Sequence, residues 1–228
     1  MNRADTVNDP AGEHQLARAH LLGIDDTIST LVVEQGAIEF YLPTMAVELP
    51  DLMSGMTLHI IGQLISRFAA IAVFTRLKSS LGGTIDPARL AESSEEELRA
   101  VGLSYAKARA LRELGARVLS GELDFDALRE LSDEQIMERL VELRGVGPWS
   151  AQVFMLRDLR RIDVFPAGDI GLRKAIAALD GLPATPSADD AAQRALAWRP
   201  YRSYAAGYLW RSYAATRAAR ITRTAPVG

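Results

Sequence analysis

From Asp25 to the C-terminal quarter the chain repeats one pattern: a short polar residue, a run with apolar side chains every three to four positions, and then a glycine. Ser and Asp side chains cap the free amides that begin a helix, and glycine takes the left-handed turn that ends one. No strand–helix–strand alternation and no internal repeat is visible, so the expected fold class is all-α. One helix is expected near residues 14–22. A second, over 27–35, is opened by Asp25 and Asp26 and stopped at Gly36. Residues 57–82 read as a single long apolar helix, with Thr57 at its start and Gly82 past its end. Asp86 and Pro87 open a short helix, Ser93 with Glu96 forms a capping box, and Gly102 ends that segment. Ser104 opens the next helix, which runs to Gly121, and Ser132 with Gln135 is a second capping box. Further helices are expected from Pro148 to about Arg160, from Asp169 to Gly181, from Ser187 to Trp198, and after Pro200 to about Ala219. Residues 1–13 read as a disordered tail. Residues 37–52, with Pro43 and Pro50, read as an irregular connection or a short strand pair.

Composition removes several kinds of chemistry. With no cysteine there is no disulfide, thiolate zinc site, Cys-ligated iron–sulfur cluster or Cys nucleophile. His14, His20 and His59 have no metal-ligand spacing. No basic-then-apolar leader is present, and no apolar run approaches the roughly 20 residues that span a bilayer, so a cytoplasmic protein without a membrane partner is expected. The net charge of −3 hides an uneven distribution. Residues 1–51 have only Arg3 and Arg18 as basic residues, whereas no acid follows Asp190 and seven arginines do, from Arg194 to Arg223. That polarity suits one basic face on an acidic molecule, although solvated arginines would give the same composition.

The stretch LRGVGPWSAQVF, residues 143–154, sets Gly145 and Gly147 directly before a helix that starts with Pro148. A dinucleotide-binding turn is excluded, because a helix precedes it and Ser150 occupies the place of the third glycine. A helix–hairpin–helix remains, whose backbone N–H groups at a helix start suit an anion such as a DNA phosphate. By itself it reads first as an ordinary αα-hairpin whose glycines permit close packing.

Four blocks in order carry a resemblance: IIGQLIS at 60–66, LRGVGPWSA at 143–151, DVFPAGDIGLRKAI at 163–176 and WRPYRSYAAGYLW at 198–210. Together the chain resembles the helix-hairpin-helix DNA glycosylase superfamily and, within it, the 3-methyladenine DNA glycosylase II branch, over about residues 25–213. The resemblance implies two intertwined helical subdomains with a DNA-binding cleft between them. One would comprise residues 14–55 with 182–228, the other residues 56–181. It also implies flipping of an alkylated purine out of duplex DNA and hydrolysis of its N-glycosidic bond.

By this resemblance Asp169 is the catalytic carboxylate, stabilising positive charge on the sugar and orienting or deprotonating water. It is also a plain N-cap candidate, and the roles are compatible, since a helix N-terminus favours negative charge. Asp163 is the structural decoy. Trp149 and Trp210 would wall the base pocket, where an electron-poor alkylated purine gains cation–π attraction; large aromatics on apolar helices are otherwise core. Val153 and Ile170 stand where relatives can place tyrosines, which predicts a wider, less stacked pocket. Leu64 would be the wedge that fills the gap left by the flipped base, with Gln63 beside it on neighbouring base edges; a core leucine is the alternative.

The hairpin Gly145, Val146, Gly147 and Ser150 would hold the DNA backbone, with a monovalent cation, Na or K, at main-chain carbonyls and no other cofactor. Bifunctional members carry a lysine where Trp149 stands, so no Schiff base and no strand cleavage is expected, and hydrolysis should not need Mg²⁺. Relatives with an extra N-terminal β domain are longer, and the stretch before Thr57 leaves it little room. A monomer acting on damaged double-stranded DNA is the expectation. Its rivals are a non-catalytic helix-hairpin-helix DNA-binding module, a helical protein–protein adaptor, and a glycosylase for deaminated or oxidised bases.

Overall fold

The structure, a computed structural model, describes residues 10–38 and 49–224. Among the described residues there are twelve α-helices and no strand: α1 Pro10–Ile24, α2 Asp26–Gln35, α3 Leu52–Gly62, α4 Arg67–Ser80, α5 Pro87–Glu92, α6 Glu95–Ala100, α7 Tyr105–Leu119, α8 Asp133–Val141, α9 Pro148–Arg157, α10 Ile170–Leu179, α11 Ala188–Ala195 and α12 Arg202–Thr224. The capping signals act as the sequence implies. Asp25, Asp86, Ser104, Ser132, Asp169 and Ser187 each accept an amide hydrogen bond from the first turn they precede.

Three expectations change. The long apolar helix is two helices, because Gln63 turns extended, Leu64 takes a left-handed φ of 60° and Ser66 caps α4 through its Oγ, 3.2 Å from the Ala69 amide. A segment apolar on all sides hides its own break from periodicity. The capping box lies one residue later, at Ser94 with Glu97, because Ser93 completes the end of α5 by donating its hydroxyl to the Arg89 carbonyl. Residues 10–13, assigned to the tail, belong to α1, and Glu13 accepts a hydrogen bond from the Tyr204 hydroxyl at 2.7 Å. The rest of that tail, and most of the connection expected over 37–52, lie outside the described residues.

By internal packing the chain divides into two units, one from the described parts of Met1–Pro43 and Arg161–Gly228, the other from Thr44–Arg160. The boundary therefore falls at 160/161 and not at 181. The reason is that α10 packs on α11 and α12, which takes Asp169 out of the central unit. In the central unit α3 packs on α4, α7 and α9, burying Leu58, Ile60, Phe74, Leu111 and Phe154. His59 on α3 meets Asp158 at 2.8 Å, and Arg157 pairs with the same carboxylate, so a buried polar contact fixes α3 against the end of α9. In the terminal unit α1, α2, α10 and α12 enclose Leu21, Ile28, Val32, Ile176, Tyr208 and Leu209.

Arg194 ties this unit together, bonding Asp180 at the end of α10 and Asp25 at the start of α2, with its guanidinium 4.8 Å from the Trp198 ring centroid. Burial alone would raise the Asp25 carboxyl, but hydrogen bonds from Thr27 and Arg194 and the guanidinium charge outweigh it and hold it at about 2. A depressed carboxyl adds stability above its unfolded value near 4, and that contribution is lost as pH falls through the folded value. Arg194→Met is therefore expected to lower stability by about 1–3 kcal/mol at pH 7. In thermal unfolding, the gap to wild type should narrow between pH 5 and pH 2.

Candidate functional site

The functional candidates fall into two groups, one in each unit. In the central unit the hairpin follows α8. Gly145 has φ 78°, a conformation that a Cβ would strain, and Gly147 is the N-cap of α9 with no side chain to cap the first-turn amides. A Cβ built on Gly147 would meet nothing within 4 Å, so the backbone there is open to an approaching group. Pro148 occupies the first helical position, and Trp149 next to it is 42% exposed. Val146 and Ser150 are buried, Val146 donating its N–H to the Leu143 carbonyl at 3.0 Å. Val153, expected at the base pocket, is a buried core side chain of α9.

The α3–α4 break lies beside this hairpin. Gln63 does not point its amide away to solvent; Nε2 donates to the Gly145 carbonyl at 2.6 Å and to Ser150 Oγ at 3.1 Å. Leu64 is fully exposed, Ile65 and Phe68 are exposed with it, and the Arg67 guanidinium lies 5.4 Å from the Phe68 ring centroid. A leucine in a left-handed conformation costs about 1–2 kcal/mol, and a fully exposed one buries nothing in return. The core-leucine alternative therefore fails.

The terminal unit holds the carboxylate. Asp169 caps α10, and its Oδ1 accepts from the Leu172 amide at 2.9 Å and from the Trp210 indole Nε1 at 3.1 Å. Trp210 is only 8% exposed, so its observed interaction is to fix Asp169 by its edge. Ile170, one residue on, is half exposed. The other acid, Asp163, is spent: Arg202 Nε donates to it at 2.7 Å and Arg199 Nε at 3.0 Å. Three of the seven tail arginines are thus used in ion pairs, while Arg211 and Arg217 are exposed on α12. Among the described residues no cluster of His, Asp and Glu is arranged to hold a metal ion.

Three residues escaped sequence reasoning. A Cβ on Gly171 would lie 2.9 Å from Asp169 Oδ1 and 3.1 Å from Tyr213 Cδ1, so the absence of a side chain there seats both the carboxylate and the ring. Tyr213 follows Trp210 by three residues on α12, a spacing that puts both on one side of the helix. Lys107 donates from Nζ to the carbonyls of Ile61 and Gln63 at 2.8 and 2.7 Å. The available signal was its place in the first turn of α7, where the helix dipole disfavours a cation.

Comparison with known proteins matches these parts together. The model of the HhH-GPD superfamily base excision DNA repair proteins matches residues 59–200, which contain the α3–α4 break, the hairpin and Asp169. DNA-3-methyladenine glycosylase 1 of Schizosaccharomyces pombe is 29% identical over 199 residues, covering 86% of each chain. The solved 3-methyladenine DNA glycosylase of Schizosaccharomyces pombe in complex with abasic DNA superposes with a TM-score of 0.75 at 29% identity, covering 86% of this chain and 95% of that one. A DNA-3-methyladenine glycosidase of Bacillus halodurans gives 0.77 at 28% identity, covering 89% and 91%. Against one Bacillus subtilis relative, 36% identical over 126 residues, the chain covers 44% of the relative's length and 55% of its own.

The exposed, left-handed Leu64 generates a stability prediction. Leu64→Gly removes backbone strain but loosens the unfolded chain, so stability should be unchanged or rise by up to about 1 kcal/mol. A core leucine would instead cost about 2–5 kcal/mol on truncation. Urea unfolding of the variant decides between them, and a loss above about 1.5 kcal/mol would sink the assignment to an exposed tip.

Proposed function

Since the chain belongs to the HhH-GPD superfamily of base excision DNA repair proteins, we propose that it is a monofunctional DNA glycosylase releasing alkylated purines of the 3-methyladenine type from double-stranded DNA. The observation that carries this reading is Asp169, a carboxylate held at a helix N-terminus by two N–H donors and seated, with the Tyr213 ring, against the bare backbone of Gly171. As the bond between C1′ and the purine nitrogen breaks, its electron pair leaves with the base and positive charge develops on the sugar. A fixed carboxylate stabilises that charge without reorganising. The oxygen of an attacking water forms the new bond to C1′, and Asp169 takes the proton that this water sheds. A 3-methylpurine carries positive charge before reaction, so it departs neutral and needs no acid to assist it, whereas 1,N6-ethenoadenine and hypoxanthine are neutral and must take up a proton from solvent as they leave.

The hairpin supports the DNA side of the reading, since the first turn of α9 has no capping side chain and a helix N-terminus suits a phosphate. Exposed Leu64 suits insertion into the gap a flipped nucleotide leaves. Trp149 offers an indole to the extruded base. In place of the expected contacts with base edges, Gln63 is assigned to the hairpin. Val153 and Ile170, aliphatic where relatives can place tyrosines, make a less stacked pocket, and with them the reading extends to bulkier etheno adducts and to hypoxanthine. Because Trp149 has no amine, there is no Schiff base and the product is an intact abasic site. A monovalent cation fits the hairpin: its carbonyls are hard, neutral oxygen donors, and one that already accepts an N–H keeps a second lone pair. It would offset phosphate charge, and replacing Na and K in the buffer with a bulky organic cation should weaken DNA binding.

Base release from duplexes carrying 3-methyladenine, 1,N6-ethenoadenine or hypoxanthine tests the proposal. Wild type should release at least the first, and Asp169→Asn should lose about 10²–10⁴ in rate, the range typical of a general base. Strand breaks should appear only after alkali. No release from any duplex, with DNA binding intact, would leave a non-catalytic binding protein with Asp169 as a helix cap.

A further inference from the structure

We infer that Lys107 is a positioning residue for Leu64: its ammonium closes the carbonyl end of α3 and, through Gln63, locks the exposed leucine to the hairpin, so that gripping the DNA backbone and inserting the wedge become one event. The inference rests on the glycosylase reading above and adds a residue that does not itself touch DNA.

A helix that stops leaves its last carbonyls without intrahelical donors. At the end of α3 the Ile61 and Gln63 carbonyls receive theirs from Lys107 Nζ, at 2.8 and 2.7 Å. The Gln63 carbonyl lies directly before Leu64 and the Ile61 carbonyl in the last turn of α3, where the chain turns extended at Gln63 and then left-handed. A left-handed leucine persists only where its surroundings over-determine it. Two brackets do so here, Lys107 on the main chain of 61–63 and the Gln63 side chain on Gly145 and Ser150. The second bracket ends on the hairpin carbonyl that follows Arg144, so a displacement of the hairpin is transmitted to Leu64 through one side chain.

The placement of Lys107 is otherwise costly. It occupies the first turn of α7, against the helix dipole, and burial pushes its ammonium below the ordinary lysine value. Both costs are offset at the far end of its side chain, where the C-terminus of α3 favours a cation. On a DNA-binding protein a lysine is first read as a phosphate contact. Two of the three N–H donors of this one face inward onto carbonyls.

The two roles separate in experiment. Lys107→Met, Lys107→Arg, Leu64→Ala and the Leu64→Ala/Lys107→Met double variant are compared in three measurements. These are single-turnover base release, the fluorescence of 2-aminopurine placed beside an abasic analogue, and the salt dependence of binding to undamaged duplex. Lys107→Met should slow release and lower the fluorescence signal about tenfold with Leu64 present, and no more than about twofold in the Leu64→Ala background, because residues that act through one another are not additive. The slope of log K against log salt should be unchanged, and Lys107→Arg should recover part of the loss. Should Lys107→Met fail to fold, the milder loss in Lys107→Arg must vanish in the same way when Leu64 is replaced. Equal losses in both backgrounds overturn the inference, as does a salt slope shallower by about one, the mark of a lost phosphate contact. A wild-type protein that neither releases a base nor raises the fluorescence overturns the glycosylase reading itself, and this inference with it.

Discussion

A helix that ends inside a folded unit must hand its last carbonyls to donors from elsewhere, and the end of α3 at Gly62 is where this constraint acts most strongly. The donor is Lys107 on α7, and the next side chain, Gln63, reaches the hairpin. The geometry of the α3–α4 break follows from that stop. The chain reverses into the left-handed Leu64, Ser66 starts α4, and the exposed tip of Leu64, Ile65 and Phe68 stands out from a segment that is otherwise core. The buried contact of His59 with Asp158 sets the same α3 against α9, so the exposed tip and the hairpin helix share a frame. There the imidazole is pushed down first by burial, against the pull of the Asp158 carboxylate.

The terminal unit solves a different problem, holding one carboxylate still. The first-turn amide of α10 and the indole N–H of Trp210 converge on one oxygen of Asp169. Tyr213 and the carboxylate fit together only because residue 171 has no side chain. The nearby acid Asp163 is committed to Arg199 and Arg202, and this distinguishes the two aspartates without appeal to motif. Several arginines that suggest an electrostatic face in the sequence are therefore internal fasteners. The acidic total charge and a DNA partner are compatible because charge acts where it is placed.

Much of this is legible in the chain. Ser and Asp caps with glycine stops give the helix order. Gly145–Gly147 before Pro148 gives the hairpin, and Asp169 is visible as both cap and carboxylate. These are local facts, fixed by which side chain can satisfy an amide two or three residues away and by which residue tolerates positive φ. The family match over residues 59–200 spans the hairpin and Asp169.

What the sequence alone could not decide is which distant groups meet. The break at 63–66 needs donors from residue 107, about forty residues on, and the surrounding apolar run masks it. Sequence reasoning sends Gln63 to base edges, whereas it bonds a carbonyl 82 positions away. That Trp210 is bound to Asp169 by its edge, 41 positions away, is equally invisible in the sequence. Asp169 leaves the central segment because α10 packs on α12. Periodicity and capping report forces that act within a turn or two of helix. The direction of a long polar side chain, and the unit a helix joins, depend on desolvation and hydrogen-bond satisfaction across the whole packed structure, so only the tertiary structure decided them.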